Sequence, residues 1–305
     1  MRFSSFCLAA TLGASLPGAA LACGPDSLGV SRVAEVGTQG GLEVGLKSYP
    51  HAVPLDDHEV ILTFDDGPDA AETPKILKAL SDECVKATFF VIGKKVGELP
   101  DLTRRELAEG HTIAHHTFSH PQPTLRYMSA AAARADILKG MATVEHTLYG
   151  AEFPSGGPAD LTQISLHTPW FRFPGFADTL DLRAWFKAND VGTFGVDEWA
   201  SDWIVMTPDQ ELKLIMGRLD REGRGMLLFH DNHAWTAAMM PAFLRELKAK
   251  RYKIVAMVPG PGHGPTYDAP GGWTSATEKI LTRFHPRLLG AGAEAPAPST
   301  AAPPQ

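Results

Sequence analysis

The stretch Glu59–Pro68, EVILTFDDGP, joins a run of apolar residues to two adjacent carboxylates and a Gly-Pro turn. The apolar run predicts a buried strand from Glu59 to Phe64, so Asp65 and Asp66 fall where that strand ends. Successive side chains on an extended backbone point to opposite sides, which allows the two carboxylates different tasks. One could hold a metal ion while the other faces a water molecule. A turn whose carboxylates cap the next helix is the simpler alternative.

Strand-like and helix-like patterns alternate about seven times between residues 59 and 258. The run Lys86–Ile92 is apolar without polar alternation, which predicts a strand buried on both faces. Several segments repeat apolar residues at i, i+3, i+4 and i+7, as amphipathic helices do. One such set is Leu212, Ile215, Met216 and Leu219. This alternation predicts an α/β fold with a parallel sheet, either a closed or nearly closed barrel or an open doubly wound sheet.

Composition and charge exclude several classes of protein. The chain has 305 residues, 44% hydrophobic and 21% charged, which is the balance of an ordinary globular protein. Its net charge is −7, from 28 basic and 35 acidic residues, and no basic block stands out. We therefore expect no nucleic-acid partner. No apolar run reaches the roughly 18 residues of a membrane span, and nothing in the composition indicates an oligomeric state.

Residues 1–22 have the pattern of a cleavable signal peptide, which predicts a secreted or periplasmic protein. Arg2 supplies the positive charge, Phe6–Leu16 the apolar stretch, and the last three residues, Ala-Leu-Ala, the cleavage site. Cleavage would leave Cys23 first. Lipid attachment there is disfavoured, because alanine stands where a lipoprotein signal usually has leucine. Cys23 and Cys84 would be the remaining cysteines, and an oxidising compartment favours a disulfide between them.

Three segments follow the predicted signal peptide. Residues 23–58 form a Gly-rich N-terminal segment with weak patterning, residues 59–259 form the main domain, and residues 260–305 form a C-terminal extension. Within that extension a short helix is predicted around Ile280, Leu281 and Phe284. The Ala/Pro-rich end of the extension is predicted to be disordered.

Four of the chain's 12 histidines lie in one stretch, HTIAHHTFSHP, at residues 111–121. The His-x3-His spacing used by divalent-metal sites occurs twice in it, as His111/His115 and as His116/His120. The sequence leaves both pairs open, although the later pair lies beyond the predicted strand. One aspartate with two imidazoles fits a divalent cation such as Zn²⁺, and the same ligands accept Co²⁺, Ni²⁺ or Mn²⁺. Core or solvent-facing histidines without a ligand are the alternative.

Further polar residues follow other predicted strands. His230 ends an apolar run, Arg172 could orient a carboxylate, and Asp202 could orient an imidazole. Trp203 could form the floor of a sugar or acyl pocket. Each of these alone is an ordinary core or surface residue. In a parallel α/β barrel, however, catalytic residues come from the C-terminal ends of several strands, so the shared placement indicates one site.

Taken in order, these motifs resemble those of the polysaccharide deacetylase family, carbohydrate esterase family 4. Thr63–Pro68, TFDDGP, matches the first family motif without a change, and residues 116–121, HTFSHP, match the H-[ST]-x-x-H-P motif. The weaker motifs are Arg172-Phe173-Pro174, Asp202-Trp203 and Leu228-Phe229-His230. The resemblance covers about residues 59–259 and implies a polysaccharide deacetylase catalytic domain with a distorted (β/α)7-type barrel.

The resemblance also implies roles for the motif residues. The metal ligands would be Asp66, His116 and His120. The catalytic residues would be Asp65 as general base, held by Arg172, and His230 as general acid, held by Asp202. The substrate-binding residues would be Leu228 and Trp203, which enclose the acetyl methyl group, and Gly175, whose backbone N–H serves the oxyanion.

This sequence departs from the family pattern in two places. One affects substrate fit, and the other lies in the acidic motif, which in the family is Asp-x-x-Asp-Trp. Gly175 stands where the family often has tyrosine, so the N–H is kept and a ring is lost. Four residues separate Asp197 from Asp202, where the family has two. Asp202 is preferred because Trp203 follows it.

The resemblance implies a secreted, metal-dependent hydrolase that releases acetate from acetylated oligo- or polysaccharides, above all from N-acetylglucosamine units. An O-acetyl esterase of the xylan type and a non-catalytic carbohydrate-binding barrel are the alternatives. A glycosidase with paired carboxylates is disfavoured, because adjacent residues cannot readily flank one glycosidic bond. The sequence leaves the polymer and the metal open.

Overall fold

The computed structural model describes residues 24–284. The predicted signal peptide, Cys23 and the Ala/Pro-rich C-terminal end lie outside the described residues. The strands are β1 (Arg32–Val36), β2 (Glu43–Val44), β3 (His51–Ala52), β4 (Glu59–Asp65), β5 (Thr88–Val91), β6 (Thr112–His115), β7 (Trp170–Phe171), β8 (Gly192–Phe194), β9 (Glu198–Trp199), β10 (Gly225–His230), β11 (Lys253–Pro259) and β12 (Tyr267–Asp268). The helices are α1 (Thr73–Asp82), α2 (Gly93–Glu98), α3 (Pro100–Ala108), α4 (Ala130–Tyr149), α5 (Leu180–Ala188), α6 (Pro208–Glu222), α7 (Ala234–Ala249) and α8 (Ala276–Phe284).

Ten strands form one sheet, and the strand pairs in it are parallel. The main path runs β1-β11-β4-β5-β6-β7-β8-β2, while β10 pairs with β4 and with β9. β3 and β12 form a separate antiparallel pair. Parallel strands need crossover connections, and helices supply most of them here. The predicted α/β fold, a distorted (β/α)7-type barrel, is confirmed.

The packing of β4 explains why its sequence decides the fold. All seven residues of the strand are buried. Leu62 and Phe64 join the apolar layer beneath α1 and α7, where the rings of Phe64 and Phe89 stack at 5.0 Å. Ile61 belongs to a separate apolar cluster with Phe90. A strand that buries both faces shows no polar alternation, which is what the sequence of β4 shows.

Two strands of the N-terminal segment belong to the same sheet. β1 pairs with β11 over five residues, and β2 pairs with β8. Neither strand was predictable from the sequence, because β2 has only two residues and β1 lies in a Gly-rich region. The domain boundary at residue 59 stays a prediction, but the sheet itself extends across it.

The C-terminal helix α8 is fixed to the barrel by polar contacts. Arg126 forms an ion pair with Glu278 of α8. The backbone N–H groups of Ala276 and Thr277 donate to the carbonyl of Lys47 at 2.8 and 3.0 Å. Within residues 24–284, no helix has the length and apolar character needed to cross a bilayer.

Cys84 follows α1 closely and is disulfide-bonded. Its predicted partner, Cys23, lies outside the described residues, so the identity of the pair stays a prediction.

Candidate active site

Three predicted metal ligands converge at the C-terminal ends of β4 and β6. Asp66 follows β4 directly, and His116 follows β6 directly. One ligand atom from each of Asp66, His116 and His120 lies within 4.8 Å of the others. Oδ1 of Asp66 is 3.4 Å from Nε2 of each histidine. Among the described residues this is the one group of three such side chains with that spacing.

The hydrogen bonding around these side chains fits a divalent cation. Oδ1 of Asp66 is buried and has no hydrogen-bond partner among the described residues. Nδ1 of His116 pairs with the carbonyl oxygen of Arg172 at 2.7 Å, which makes Nδ1 the donor and leaves Nε2 facing Asp66. Burial and the neighbouring His116 lower the pKa of His120, which favours the neutral imidazole that binds metals.

The charge state of Asp66 also suits a metal ligand. Burial acts to raise the pKa of its carboxyl group, but the contact with His116 and the charge of His230 outweigh burial and hold that pKa below its usual range. A carboxylate oxygen with two imidazole nitrogens is a common donor set for Zn²⁺ and related cations.

Close backbone contacts position the two loops that carry the predicted metal ligands. A Cβ at Gly67 would lie 2.1 Å from a carboxylate oxygen of Asp231, so glycine is required there. A Cβ at Gly140 of α4 would lie 2.5 Å from the backbone of Thr117, so the histidine loop sits directly on that helix. The hydroxyl of Thr117 accepts the backbone N–H of His120 at 3.0 Å.

The other His-x3-His pair lies elsewhere. His111 packs edge-on against Phe89, and its Nδ1 accepts the backbone N–H of Ala87 at 3.1 Å. His115 is the neighbour of His116 on the chain and therefore points to the opposite face of the strand, 3.9 Å from Glu145 of α4. Burial lowers the pKa of both rings to about 3, so both are neutral core residues.

Asp65 is held by Arg172, as the motif order suggested. Nη1 of Arg172 donates to Oδ1 of Asp65 at 2.6 Å and to the hydroxyl of Thr63 at 2.9 Å. The carbonyl of Gly195 accepts from Nη2 at 3.0 Å. The guanidinium is fully buried and lies 4.0 Å from the centre of the Phe90 ring. The buried guanidinium thus anchors one oxygen of the Asp65 carboxylate.

His230 is held by Asp202. Nδ1 of His230 donates to Oδ1 of Asp202 at 2.7 Å, and its backbone N–H donates to Oδ2 at 2.6 Å. Burial lowers the pKa of His230, but the charge and hydrogen bond of Asp202 outweigh burial and raise it to about 10. Asp197 instead accepts the backbone N–H groups of Leu46 and Met226. The stretched acidic motif therefore places Asp202, and not Asp197, beside His230.

One cavity of about 320 Å³ brings most of the predicted site residues together. Those that line it are Asp65, Asp66, His116, His120, Gly175, Trp203, Leu228 and His230. The other two, Arg172 and Asp202, stand directly behind Asp65 and His230.

Comparison with known proteins agrees with this arrangement. Residues 52–154 match the family model described as polysaccharide deacetylase. Over these residues the chain is similar to polysaccharide deacetylases. A peptidoglycan-N-acetylglucosamine deacetylase of Listeria monocytogenes is 32% identical over 200 residues, which is 65% of this chain and 38% of the relative. A chitooligosaccharide deacetylase of Rhizobium leguminosarum bv. trifolii is 47% identical over 83 residues, or 26% of this chain and 39% of the relative.

The structural comparison extends beyond the segment matched by the family model. A peptidoglycan deacetylase from Bdellovibrio bacteriovorus superimposes with a TM-score of 0.64 at 28% identity, over 77% of this chain and 61% of that one. This chain spans less than half the length of the two curated deacetylases that it matches in sequence.

The apolar side of the cavity shows how this chain differs from the family pattern. Gly175 has a backbone φ of 58°, which glycine adopts without strain. Next to it, the ring of Phe176 lines the cavity and lies 6.1 Å from the ring of Trp199. Trp203 is 47% exposed, and its ring meets those of Trp199 and His230 edge-on. An aromatic wall is therefore present although the tyrosine is absent.

Sequence reasoning missed the contribution of the C-terminal helix to the site. Thr277, Ile280 and Leu281 of α8 line the cavity opposite the deacetylase motifs. The apolar spacing in this segment predicted a short helix, but no local pattern shows which surface a helix will cover. Phe173 and Trp199 also line the cavity, and no sequence pattern marked either one as a site residue.

Proposed function

We propose that this protein is a metal-dependent deacetylase that hydrolyses N-acetyl groups of N-acetylglucosamine-containing glycans and releases acetate. The observation that carries the proposal is the cavity in which Asp66, His116 and His120 converge beside Asp65 and His230. The two deacetylase relatives, one acting on peptidoglycan and one on chitooligosaccharide, support the choice of N-acetylated glycans.

Asp66, His116 and His120 would hold the cation, with Zn²⁺ favoured and Co²⁺, Ni²⁺ or Mn²⁺ accepted by the same donors. When bound, such a cation polarises the acetyl carbonyl and makes water a better nucleophile. The three side chains supply one negative charge and two neutral donors, so the centre keeps a net positive charge that favours a developing oxyanion.

Asp65 is the proposed general base. Its carboxylate lines the cavity beside Asp66 and forms an ion pair with Arg172. The free carboxylate oxygen can accept the proton of the attacking water, while Arg172 keeps the group from turning. The backbone N–H of Gly175 is the proposed donor to the oxyanion.

His230 is the proposed general acid. Because Asp202 raises the pKa of His230, the imidazolium persists at neutral pH. It gives its Nε2 proton to the sugar nitrogen as the C–N bond breaks, since an amine leaves poorly unless protonated. Trp203 and Leu228 are placed to enclose the acetyl methyl group.

Two alternatives remain for the same cavity, an O-acetyl esterase and a carbohydrate-binding barrel without activity. Acetate release should be measured on N-acetyl chitooligosaccharides, peptidoglycan and acetylxylan, each with and without added Zn²⁺. We expect release from one or both N-acetylated substrates that rises with Zn²⁺. Release from acetylxylan alone would establish the esterase, and binding without any release would establish the inactive barrel.

We also propose that the protein acts outside the cytoplasm, on the basis of its predicted signal peptide. A chain expressed with residues 1–22 should appear in the periplasm or medium with Cys23 as its first residue. Cytoplasmic protein that keeps its first residues would contradict this.

A further inference from the structure

A chain of buried polar side chains continues behind His230. Asp202, which holds His230, also accepts the hydroxyl of Thr236 in α7 at 3.0 Å. That same hydroxyl lies 3.1 Å from Oε1 of Glu211 in α6. Asp202, Thr236 and Glu211 are all fully buried. The contacts therefore connect His230 to a second carboxyl group beneath the site.

A single hydroxyl hydrogen lies between the two carboxyl groups. Thr236 can donate that hydrogen to only one acceptor. When Thr236 donates to Asp202, Glu211 can pair with Thr236 only by carrying a proton and donating it. Oε2 of Glu211 is buried without a partner among the described residues, a costly environment for an ionised carboxylate. The geometry thus favours one direction, in which Glu211 donates to Thr236 and Thr236 donates to Asp202.

The surrounding charges agree with a protonated Glu211. The charged groups that face it are Asp202 and His230. Burial and the negative charge of Asp202 raise the pKa of Glu211 to about 8. Glu211 therefore keeps its proton at neutral pH and loses it in moderately alkaline solution.

We propose that Glu211 is a positioning residue that sets, through Thr236 and Asp202, the orientation and proton affinity of His230. This inference rests on the proposed function, in which His230 is the general acid. When Glu211 loses its proton, the Thr236 hydrogen can turn away from Asp202, and a second negative charge appears behind His230. Both changes strengthen the hold of Asp202 on the imidazolium, which becomes a weaker acid toward the leaving nitrogen.

The test compares the Zn²⁺-loaded wild type with Glu211→Gln. Glu145→Gln is the matched control, because Glu145 is another buried carboxyl group and pairs with His167 in a different layer. Between pH 7 and pH 9 we expect kcat for an N-acetyl chitooligosaccharide to fall by about threefold in the wild type and in the control. The reason is that the rate of proton transfer falls as His230 becomes a weaker acid. Glu211→Gln should lack this fall. Identical profiles for all three proteins would overturn the proposal.

A second readout needs no substrate. The ring NMR signals of His230 in the Zn²⁺-loaded protein should show an inflection near the Glu211 pKa of about 8. That inflection should vanish in Glu211→Gln and persist in Glu145→Gln. If acetate is never released, the proposed function fails, while this titration still decides whether Glu211 and His230 are coupled. An unchanged His230 titration in Glu211→Gln refutes the coupling.

Thr236 provides an independent arm should Glu211→Gln fold poorly. Thr236→Val removes the hydroxyl at nearly constant volume and should lower kcat with little change in KM. Thr236→Ser keeps the hydroxyl and should restore kcat. Equal kcat in the valine and serine variants, with equal thermal stability, would show that the hydroxyl link has no influence on His230.

Discussion

Asp65 and Asp66 are neighbours on the chain, yet their surroundings differ completely. Asp65 is bonded to Arg172 at 2.6 Å, whereas Oδ1 of Asp66 lies between two imidazoles without a hydrogen-bond partner in the described part of the chain. Asp66 has a positive φ of 74°, so the chain turns sharply between the two side chains. The doublet can therefore serve as one ligand and one base.

Substitution of the two aspartates should separate metal binding from catalysis. Asp65→Asn should keep Zn²⁺ and lose about 10²- to 10⁴-fold in kcat, the usual contribution of a general base. Asp66→Asn should lose Zn²⁺ as well, because it removes the anionic ligand. Metal content after gel filtration and acetate release are the measurements. Asp65→Asn protein that comes off the column without metal would show that the two roles are reversed or shared.

His230→Ala should affect amides more than activated esters. We expect a loss of about 10²- to 10⁴-fold on an N-acetylated sugar, because the amine must be protonated to leave. Hydrolysis of an aryl acetate should suffer much less, since a phenolate leaves without a proton. The rates on both substrates, with metal content as control, give the comparison. Equal losses would mean that His230 is not the leaving-group acid.

The sequence did not show which of the two histidine pairs would bind the metal. The spacing of His111/His115 is the same as that of His116/His120. Which pair faces Asp66 depends on the face of β6 that points toward the site, and a strand buried on both sides carries no pattern that marks its faces. The pairing of Asp202 with His230 depended on the path of residues 197–202, which no spacing rule shows.

At the scale of elements, long and regular patterns were predictable and short ones were not. β4, β5, β10 and α6 lie close to their predicted positions, because each has a continuous apolar run or an i, i+3, i+4 stripe. α2 was missed, since its six residues include two glycines and span fewer than two turns. α1 begins at Thr73 with Glu72 as its N-cap, and the Thr73 hydroxyl donates to Asp231 and accepts the backbone N–H of Asp69.

The α8 helix should contribute to substrate binding. Ile280 lines the cavity and is 42% exposed, so a bound sugar would cover part of it. Losing about 1 kcal/mol of apolar contact in Ile280→Ser should raise KM roughly fivefold with little change in kcat. Leu180→Ser is the control, because Leu180 is an exposed apolar residue outside the cavity. The same KM in wild type and Ile280→Ser would show that α8 does not contact the substrate.

At the scale of the whole molecule, segments before and after the family-matched residues complete the structure. β1 adds an edge strand beside β11, and α8 adds a wall to the cavity. Sequence alone indicated neither the pairing of β1 nor the placement of α8, because both depend on contacts between residues more than 100 positions apart. The motifs contain the proposed reactive groups, whereas these outer segments shape the space around them.

The disulfide at Cys84 should tie the N-terminal end of the mature chain to the barrel. We expect its partner to be Cys23, and closing a loop of about 60 residues should stabilise the fold by roughly 4 kcal/mol on the chain-entropy model. Peptide mapping without reduction should find the 23–84 pair, and Cys84→Ser should lower the unfolding midpoint. Two free thiols in protein purified from an oxidising compartment would contradict the pairing.

The dependence of acetate release on metal tests whether Asp66, His116 and His120 form the metal site of a deacetylase. The wild type, His116→Ala and His111→Ala should be stripped with a chelator and then titrated with Zn²⁺ on an N-acetylated glycan. We expect no release from stripped protein, recovery at one Zn²⁺ per chain for the wild type and for His111→Ala, and neither binding nor recovery for His116→Ala. Release that persists without metal, or a site emptied by His111→Ala and kept by His116→Ala, would contradict it.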